Sequence, residues 1–496
     1  MRSTRFGNLG PAGEWGLNHV ISTGQSLSVS TESNVSISTQ PYNNKMLHDG
    51  SATYDITLPN AATLSLQPLV GPQRTTGPGQ TAYPANLEGS DAVDISFANE
   101  VTRIAIANDY NDYRIATSTV GVGGQPMSVI QKGGSGTSYA ASLYECRAIK
   151  RLAGLAGLTF GTRAVMLRHG ETDDENQNLS YATQLATLAS NYQTDLQTIT
   201  GQTVGVYLFG TQCNQNPQSF HVGENVTALA FWAAAVANPG LVVLVGPQYQ
   251  FAYSPFTFEH MQNYGPLGEL HAKVFWIIER TGTWTPLWPT SVVRVGTAVT
   301  ITFNVPVGPL VFDGVASPPH AGGTPWNAWW GGAKGFEAYD RLLTVSSATN
   351  ASPIVIGFTT PHGLNTGDPY ALTAVVGNTA TNGVWSAVTF VDSTHVSLNG
   401  STGNGAYTSG GIGFSPIGVG APSISGNQVS FTMARSPVGT PTIAYAHHSD
   451  RLYGAGLNTG GFPLGRCGLL RDSDPWVSGS GFQQFNWCIE FAQAAP

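Results

Sequence analysis

Residues 17–280 alternate between short apolar runs and longer stretches in which apolar residues recur at helical spacing. The run 164–167 has the pattern of a buried strand, and 181–199 has the clearest helical apolar face. Strands separated by helices of this length form parallel βαβ units. The sequence therefore predicts an α/β fold with a doubly wound, flavodoxin-like parallel sheet, in which the chemically active groups lie at the carboxyl ends of the strands.

The pattern changes to all-β after residue 284, where apolar and polar residues alternate over 291–305 and 423–434. This alternation predicts a β-sandwich. A stretch rich in Gly, Thr and Asn, 352–411, interrupts it and predicts a small inserted module. We therefore predict three regions, which are an α/β domain over 1–282, a β-sandwich over 283–349 and 413–496, and a small β-barrel-like module over 350–412.

Charge and composition exclude several classes of partner. Only 10% of the 496 residues are charged, the net charge is −8 and Lys and Arg form no cluster, which argues against a nucleic-acid partner. The sequence contains no run of about 18 apolar residues, so it predicts no membrane-spanning segment. Residues 1–18 lack the apolar region of a secretory signal peptide. The spacing of the cysteines and histidines predicts no metal site.

The four cysteines are Cys146, Cys213, Cys467 and Cys488. Their wide spacing does not predict a dense disulfide framework. Cys467 and Cys488 are near enough in sequence to form a disulfide, and buried free thiols are the alternative.

Four segments follow predicted strands or precede predicted helices, so that all of them can meet at one edge of the sheet. In chain order they are Gly24-Gln25-Ser26, Gly121-Val122-Gly123-Gly124-Gln125, Arg168-His169-Gly170-Glu171-Thr172-Asp173 and Glu259-His260.

These segments contain the groups that ester cleavage needs. A serine hydroxyl becomes an effective nucleophile when a base accepts its proton, and Ser26 and His260 supply that pair. The oxyanion of the tetrahedral intermediate needs donors that already point at it. The candidate donors are the backbone N–H groups of Ser26, Gly123 and Gly124 and the imidazole of His169.

The four segments resemble the blocks of the SGNH (GDSL-like) hydrolase superfamily, and more narrowly those of its sialate O-acetylesterase and acetylxylan esterase branch. That branch has Gly-Gln-Ser, Gly-x-Gly-Gly, Gln-Gly-Glu-Ser-Asp and Asp-x-x-His in this order, and the resemblance covers residues 17–280. It implies a serine esterase that removes O-acetyl groups from a carbohydrate through an acetyl-enzyme, without a cofactor. Substrate binding by Gln25 and Glu171 is expected on the same basis.

Two positions depart from the pattern of that branch. His169 stands where the branch has glutamine; histidine also donates a hydrogen bond, but its charge changes near neutral pH. Thr257, three residues before His260, stands where the branch has the aspartate that orients the base. Glu259 is the candidate acid in its place. The alternatives are a backbone carbonyl, Asp173 and Glu171.

The inserted module contains Thr360-Pro361-His362-Gly363-Leu364 and a Gly-rich segment over 400–407. It is similar to a short β-barrel module of phage and bacterial surface proteins, and the C-terminal part, with Leu470-Arg471-Asp472-Ser473-Asp474, resembles accessory regions of phage-encoded hydrolases. These resemblances imply a phage tail protein at the extracellular surface of the virion, or a protein secreted without a recognisable signal peptide.

The expected partner is an O-acetylated bacterial surface polysaccharide. The chain is also expected to form a homo-oligomer or to assemble into a virion. The alternative function is that of a non-catalytic tail protein, which keeps the hydrolase fold and binds a glycan or receptor. The threonine at position 257 favours this alternative, because it removes the usual partner of the base.

Overall fold

The computed structural model describes residues 15–30, 33, 37–48, 64–71, 93–213, 225–251, 260–314, 333–447 and 468–496. Its first part is an α/β unit around one sheet. The strands of this sheet are β1 (Leu17–Gly24), β2 (Lys45–His48), β3 (Ser65–Pro68), β4 (Ile115–Thr119), β5 (Phe160–Arg168), β6 (Tyr207–Gly210) and β7 (Val242–Leu244).

The sheet has the strand order β3-β2-β4-β1-β5-β6-β7. Five neighbouring strands are mutually parallel, in the order β4, β1, β5, β6 and β7. This is the strand order of flavodoxin-like sheets. The predicted parallel α/β sheet is thereby confirmed. The sequence pattern did not predict β2, which is parallel to β4, or β3, which is antiparallel to β2 at the edge.

Helices cover both faces of the sheet. In the described part of the chain they are α1 (Val93–Ala107), α2 (Met127–Ile130), α3 (Ser138–Leu155), α4 (Glu171–Glu175), α5 (Tyr181–Thr200), α6 (Val226–Ala237) and α7 (Gly265–Thr281). None of these helices is both long and apolar enough to cross a membrane. The predicted helix over 181–199 is confirmed as α5.

The two faces form two apolar cores, because successive strand residues point to opposite sides. Leu17 and Ile21 of β1 pack with α3, α5 and α6, whereas Val20 packs with α1 and α7 on the other side. The apolar spacing that predicted the long helices is therefore the pattern that buries them on the sheet.

The C-terminal part is built from short strands. They are β8 (Trp288–Val295), β9 (Ala298–Asn304), β10 (Val311–Phe312), β11 (Phe336–Tyr339), β12 (Leu343–Ala348), β13 (Ile354–Phe358), β14 (Tyr370–Val376), β15 (Gly383–Trp385), β16 (Val388–Asp392), β17 (His395–Leu398), β18 (Ser409–Phe414), β19 (Ser423–Ser425), β20 (Gln428–Thr432), β21 (Thr442–Tyr445), β22 (Leu470–Arg471) and β23 (Phe491–Ala494).

Two antiparallel sheets share one core in this part. Ile301 and Phe431 come from the sheet β19-β20-β9-β8, and Phe336 and Tyr445 come from the sheet β11-β21-β23. Strands from β12 to β18 form a separate seven-stranded sheet with its own core. These antiparallel sheets agree with the predicted β-sandwich, and the exact domain boundaries stay a prediction.

Cys146, Cys213 and Cys488 are buried free thiols. Cys467 lies outside the described residues.

The C-terminal segment returns to the α/β unit and packs against α7 through Lys273. This side chain is fully buried, and its Nζ lies 2.7 Å from Asp474 Oδ2 and 2.8 Å from Asn486 Oδ1. It also donates to the carbonyl oxygen of Gln484 at 2.6 Å. Burial lowers the pKa of Lys273, and the Asp474 carboxylate opposes that effect. The ammonium group therefore joins α7 to the C-terminal segment.

We expect Lys273→Met to lower the free energy of unfolding by about 3–5 kcal/mol, because it leaves the Asp474 carboxylate without its buried cation. The matched control is Lys132→Met, which removes an ion pair with Asp195 at 2.8 Å whose lysine is about half exposed. That change should cost less than about 1 kcal/mol. Urea unfolding followed by near-UV circular dichroism measures both, and equal effects would contradict the assignment.

Candidate active site

The carboxyl ends of three neighbouring strands bring the predicted segments together. Ser22 of β1 pairs with Thr119 of β4, and Gly24 of β1 pairs with Arg168 of β5. The first three predicted segments begin at or just beyond these ends. The strand order reverses around β1, since β4 lies on one side of it and β5 on the other. Parallel sheets bind ligands outside the carboxyl ends of the strands at such a point.

Gly24 permits the turn that follows β1. Its φ is +136°, and a Cβ at this position would lie 2.0 Å from the carbonyl oxygen of Arg168. The same carbonyl accepts a hydrogen bond from the backbone N–H of Gln25 at 3.0 Å. Only glycine allows this approach, so the end of β1 is held directly against the end of β5.

Ser26 and His260 are in hydrogen-bond contact, with 2.7 Å between Ser26 Oγ and His260 Nε2. Ser26 is partly exposed and is the first residue of a 3₁₀ turn, Ser26–Val29, where a backbone N–H has no acceptor within the turn. His260 is 8% exposed and directly precedes Met261, whose N–H donates to the hydroxyl of buried Tyr264 at 3.2 Å. The predicted nucleophile and base therefore meet.

The second predicted segment lies beside this turn. A Cβ on Gly121 would lie 1.8 Å from Ser28 Oγ, and the N–H of Val122 donates to the carbonyl oxygen of Gly24 at 2.9 Å. Gly123 and Gly124 follow, the latter with a φ of +65°. The predicted oxyanion glycines are thus on the loop that packs against the nucleophile turn, and their role as donors stays a prediction.

His169, predicted as an oxyanion donor, is bonded to other protein groups through both ring nitrogens. Nε2 lies 2.9 Å from the carbonyl oxygen of Gln125, which can only accept, so Nε2 carries the proton. Nδ1 lies 2.9 Å from the hydroxyl of Tyr181 and accepts from it. Burial lowers the pKa of His169, although Asp173 opposes this effect, and the neutral ring has no further N–H to donate.

Gln25 and Glu171, predicted to bind substrate, are both buried at 2% exposure. Glu171 Oε1 accepts from Gln248 Nε2 at 3.3 Å, and Oε2 has no hydrogen-bond partner among the described residues. Burial raises the pKa of Glu171 to about 7, against the opposing charge of Arg168. Their contact with substrate stays a prediction.

Two of the residues around this site were not linked to it by the sequence pattern. Tyr181 begins α5, where its spacing marks it as a core residue, and its hydroxyl bonds His169. Gln248 follows β7 and accepts from Arg168 Nη2 at 2.7 Å. Its position just beyond a strand at the active edge is the one indication that the sequence contains.

Glu259, the candidate acid for His260, and Thr257 both lie outside the described residues. Asp173, an alternative acid, accepts from the N–H of Met127 at 2.7 Å and from Asn178 at 2.5 Å, so it joins α4 to α2. Within the described ranges, no group of three or more His, Cys, Asp and Glu side chains is arranged to hold a metal ion.

This geometry has the form that serine hydrolases use for nucleophilic catalysis. A serine hydroxyl contacts an imidazole at 2.7 Å, at the carboxyl edge of a parallel sheet and beside a glycine-rich loop.

Comparison with known proteins finds no matching family model and no matching curated protein. One similar solved structure is a carbohydrate acetylesterase from Xanthomonas citri, XAC1771, at 11% identity and a TM-score of 0.41, covering 96% of this chain and 80% of that chain. Another is NanS, at 12% identity and a TM-score of 0.28, covering 40% of this chain and 68% of that chain.

We expect a fluorophosphonate probe to modify Ser26, because an adjacent base activates its hydroxyl. Ser26→Ala should abolish labelling, and His260→Ala should slow it by about 100-fold or more. Peptide mass spectrometry after proteolysis identifies the labelled residue.

Ser118 provides an internal control for this labelling. Its hydroxyl also contacts an imidazole, that of His19 at 2.9 Å, but both residues are fully buried. Labelling at Ser118, or labelling that survives in Ser26→Ala, would contradict the assignment.

The raised pKa of Glu171 predicts a pH-dependent loss of stability. The folded chain keeps this proton up to about pH 7, whereas the unfolded chain releases it near pH 4.5, so stability falls as pH rises between these values. Glu171→Gln removes the ionisation. Its Tm relative to wild type should therefore rise between pH 4.5 and about pH 7.5, measured by thermal unfolding.

Glu175→Gln is the matched control on the same short helix, because that carboxylate is exposed. Measured in parallel, this variant shows how far the loss of an exposed carboxylate from the same helix changes Tm with pH. A Tm difference between Glu171→Gln and wild type that stays constant over this range would contradict the raised pKa of Glu171.

Proposed function

We propose that this chain is a serine esterase that removes O-acetyl groups from a carbohydrate through an acetyl-enzyme. The observation that carries the proposal is the 2.7 Å contact between Ser26 Oγ and His260 Nε2. The acetyl group and the carbohydrate are inferred from the resemblance of the four sequence segments to the sialate O-acetylesterase and acetylxylan esterase branch of the SGNH superfamily.

In the first half-reaction, Ser26 Oγ attacks the carbonyl carbon of the acetyl ester while His260 Nε2 accepts the hydroxyl proton. The tetrahedral intermediate collapses when His260 returns that proton to the sugar oxygen, which leaves as an alcohol. In the second, water attacks the acetyl-enzyme with His260 as base, and acetate is released.

The oxyanion in both half-reactions would be held by main-chain donors. The N–H of Ser26 is at the start of a 3₁₀ turn, and the N–H groups of Gly123 and Gly124 belong to the loop packed against it. One such donor typically contributes roughly 3 kcal/mol to lowering the barrier. His169 is absent from this set, since its N–H is bonded to Gln125.

The orientation of His260 would come from Glu259 or from a backbone carbonyl. A carboxylate that accepts from Nδ1 fixes the tautomer in which Nε2 can accept the serine proton. With Thr257 where the branch has aspartate, the acid must come from another position or the site works as a serine–histidine pair.

We further propose the SGNH fold for residues 1–282, with the sandwich over 283–349 and 413–496 and the module over 350–412 as accessory regions. The resemblance of the sequences of the inserted module and the C-terminal part to phage proteins supports a place on a virion, where the enzyme would act on a bacterial surface polysaccharide. The second candidate function is a tail protein that binds such a glycan without cleaving it, and Thr257 is the observation that favours it.

The test is acetate release from a panel of O-acetylated bacterial and plant polysaccharides, together with p-nitrophenol release from its acetate ester. Wild type should be active with both, and Ser26→Ala should lose about 10³-fold or more of kcat, because the nucleophile is gone.

Thr359→Ala is the control, because it removes an exposed hydroxyl from the inserted module and not from the α/β unit that contains Ser26 and His260. This variant should keep full activity. A wild-type chain that retains polysaccharide on a column but releases no acetate would support the binding function instead. Activity that survives in Ser26→Ala would reject the proposed mechanism.

A further inference from the structure

Two hydrogen bonds from the third segment hold the end of the second. His169 Nε2 donates to the carbonyl oxygen of Gln125 at 2.9 Å, and Asp173 Oδ2 accepts from the N–H of Met127 at 2.7 Å. The two bonded groups belong to Gln125 and Met127, the residues before and after Pro126, and Gln125 directly follows Gly124. The glycine loop is therefore held at one end by β1, through Val122, and at the other end by these two side chains.

Tyr181 contacts the other side of the His169 ring. Its hydroxyl lies 2.9 Å from Nδ1, and its ring stacks on the imidazole with 5.7 Å between centroids and 11° between planes. Because the Gln125 carbonyl can only accept, the proton of the neutral ring stays on Nε2, and the Tyr181 hydroxyl then donates to the unprotonated Nδ1. With the other tautomer, two acceptors would face each other.

We propose that His169 is a positioning residue, which holds the glycine loop in place for the oxyanion through the Gln125 carbonyl and whose ring is oriented by the hydrogen bond and the stacking of Tyr181. This inference rests on the proposed esterase function. It assigns His169 an indirect effect on the transition state, since the ring donates to the protein and not to the substrate. A donor displaced by about 1 Å can cost about 100-fold in rate, so the hold on this loop matters for kcat.

The experiment measures kcat and KM of the full chain with p-nitrophenyl acetate. His169→Ala should lower kcat by about tenfold to 100-fold and leave KM within about threefold, because the loop and not the ground-state contacts changes. His169→Gln should recover most of kcat, since its amide N–H can donate to the same carbonyl.

The matched control is His19→Ala. His19 is also a buried imidazole bonded through both nitrogens, to Thr162 and Ser118, but it lies in the first half of β1. Its loss should lower Tm as His169→Ala does, yet leave kcat within about threefold. Equal losses of kcat in the two variants would show that His169 acts only through stability and would overturn the proposal.

A smaller change keeps the test valid if His169→Ala does not fold. Tyr181→Phe removes only the hydroxyl that bonds Nδ1 and orients the ring, and it should lower kcat at least about threefold. Tyr192→Phe, which removes another buried hydroxyl from α5, should not. Unchanged kcat in Tyr181→Phe, or in a folded His169→Ala, refutes the inference while the esterase function stands. A wild-type chain that releases no p-nitrophenol refutes both.

Discussion

The carbonyl oxygen of Arg168 occupies the space where a Cβ on residue 24 would be, and the geometry of the site depends on this contact. The ideal Cβ would lie 2.0 Å from that oxygen, so β1 can end against β5 only with glycine at position 24. The N–H of Gln25 then bonds the same carbonyl, which fixes where the next residue, Ser26, begins its turn. Gly121 repeats the principle on the other side, because Ser28 Oγ lies where its Cβ would be. The ends of β4, β1 and β5 can therefore meet because positions 24 and 121 are both glycine.

The elements that local patterns control were predictable. Helical spacing identified α5, and the order of strands and helices implied which loops share an edge, so Ser26 and His260 could be paired across more than 200 positions of sequence. The contact between His169 Nε2 and the Gln125 carbonyl was not predictable, because that carbonyl is placed by tertiary packing. Strands β2 and β3, at one side of the sheet, were missed because four residues each carry too little periodicity to predict a strand.

The end of the chain is also part of the α/β unit, through contacts that no local pattern predicts. Gln212, after β6, exchanges two hydrogen bonds with the backbone of Glu490, whose carboxylate accepts from Asn225 at the start of α6. His447 Nδ1 lies 2.9 Å from the same carboxylate. Together with Lys273 on α7, these buried polar contacts join the C-terminal residues to both sides of the sheet. Since unpaired buried polar groups are costly, the α/β unit would lose stability without this segment.

Two serine–imidazole pairs are hydrogen-bonded in the part of the chain that the structure describes, and their difference shows what a hydrogen bond alone does not provide. The distance from Ser118 Oγ to His19 Nε2 is 2.9 Å, and the distance from Ser26 Oγ to His260 Nε2 is 2.7 Å. Burial lowers the pKa of His19 to about 3, so this imidazole is too weak a base to activate a hydroxyl, and neither residue is open to a substrate. Ser26, in contrast, is partly exposed at the start of a turn and lies beside glycine amides. In the proposed mechanism, reactivity therefore depends on access and on nearby N–H donors, and of these two serines Ser26 is the one that is partly exposed and lies beside the glycine loop.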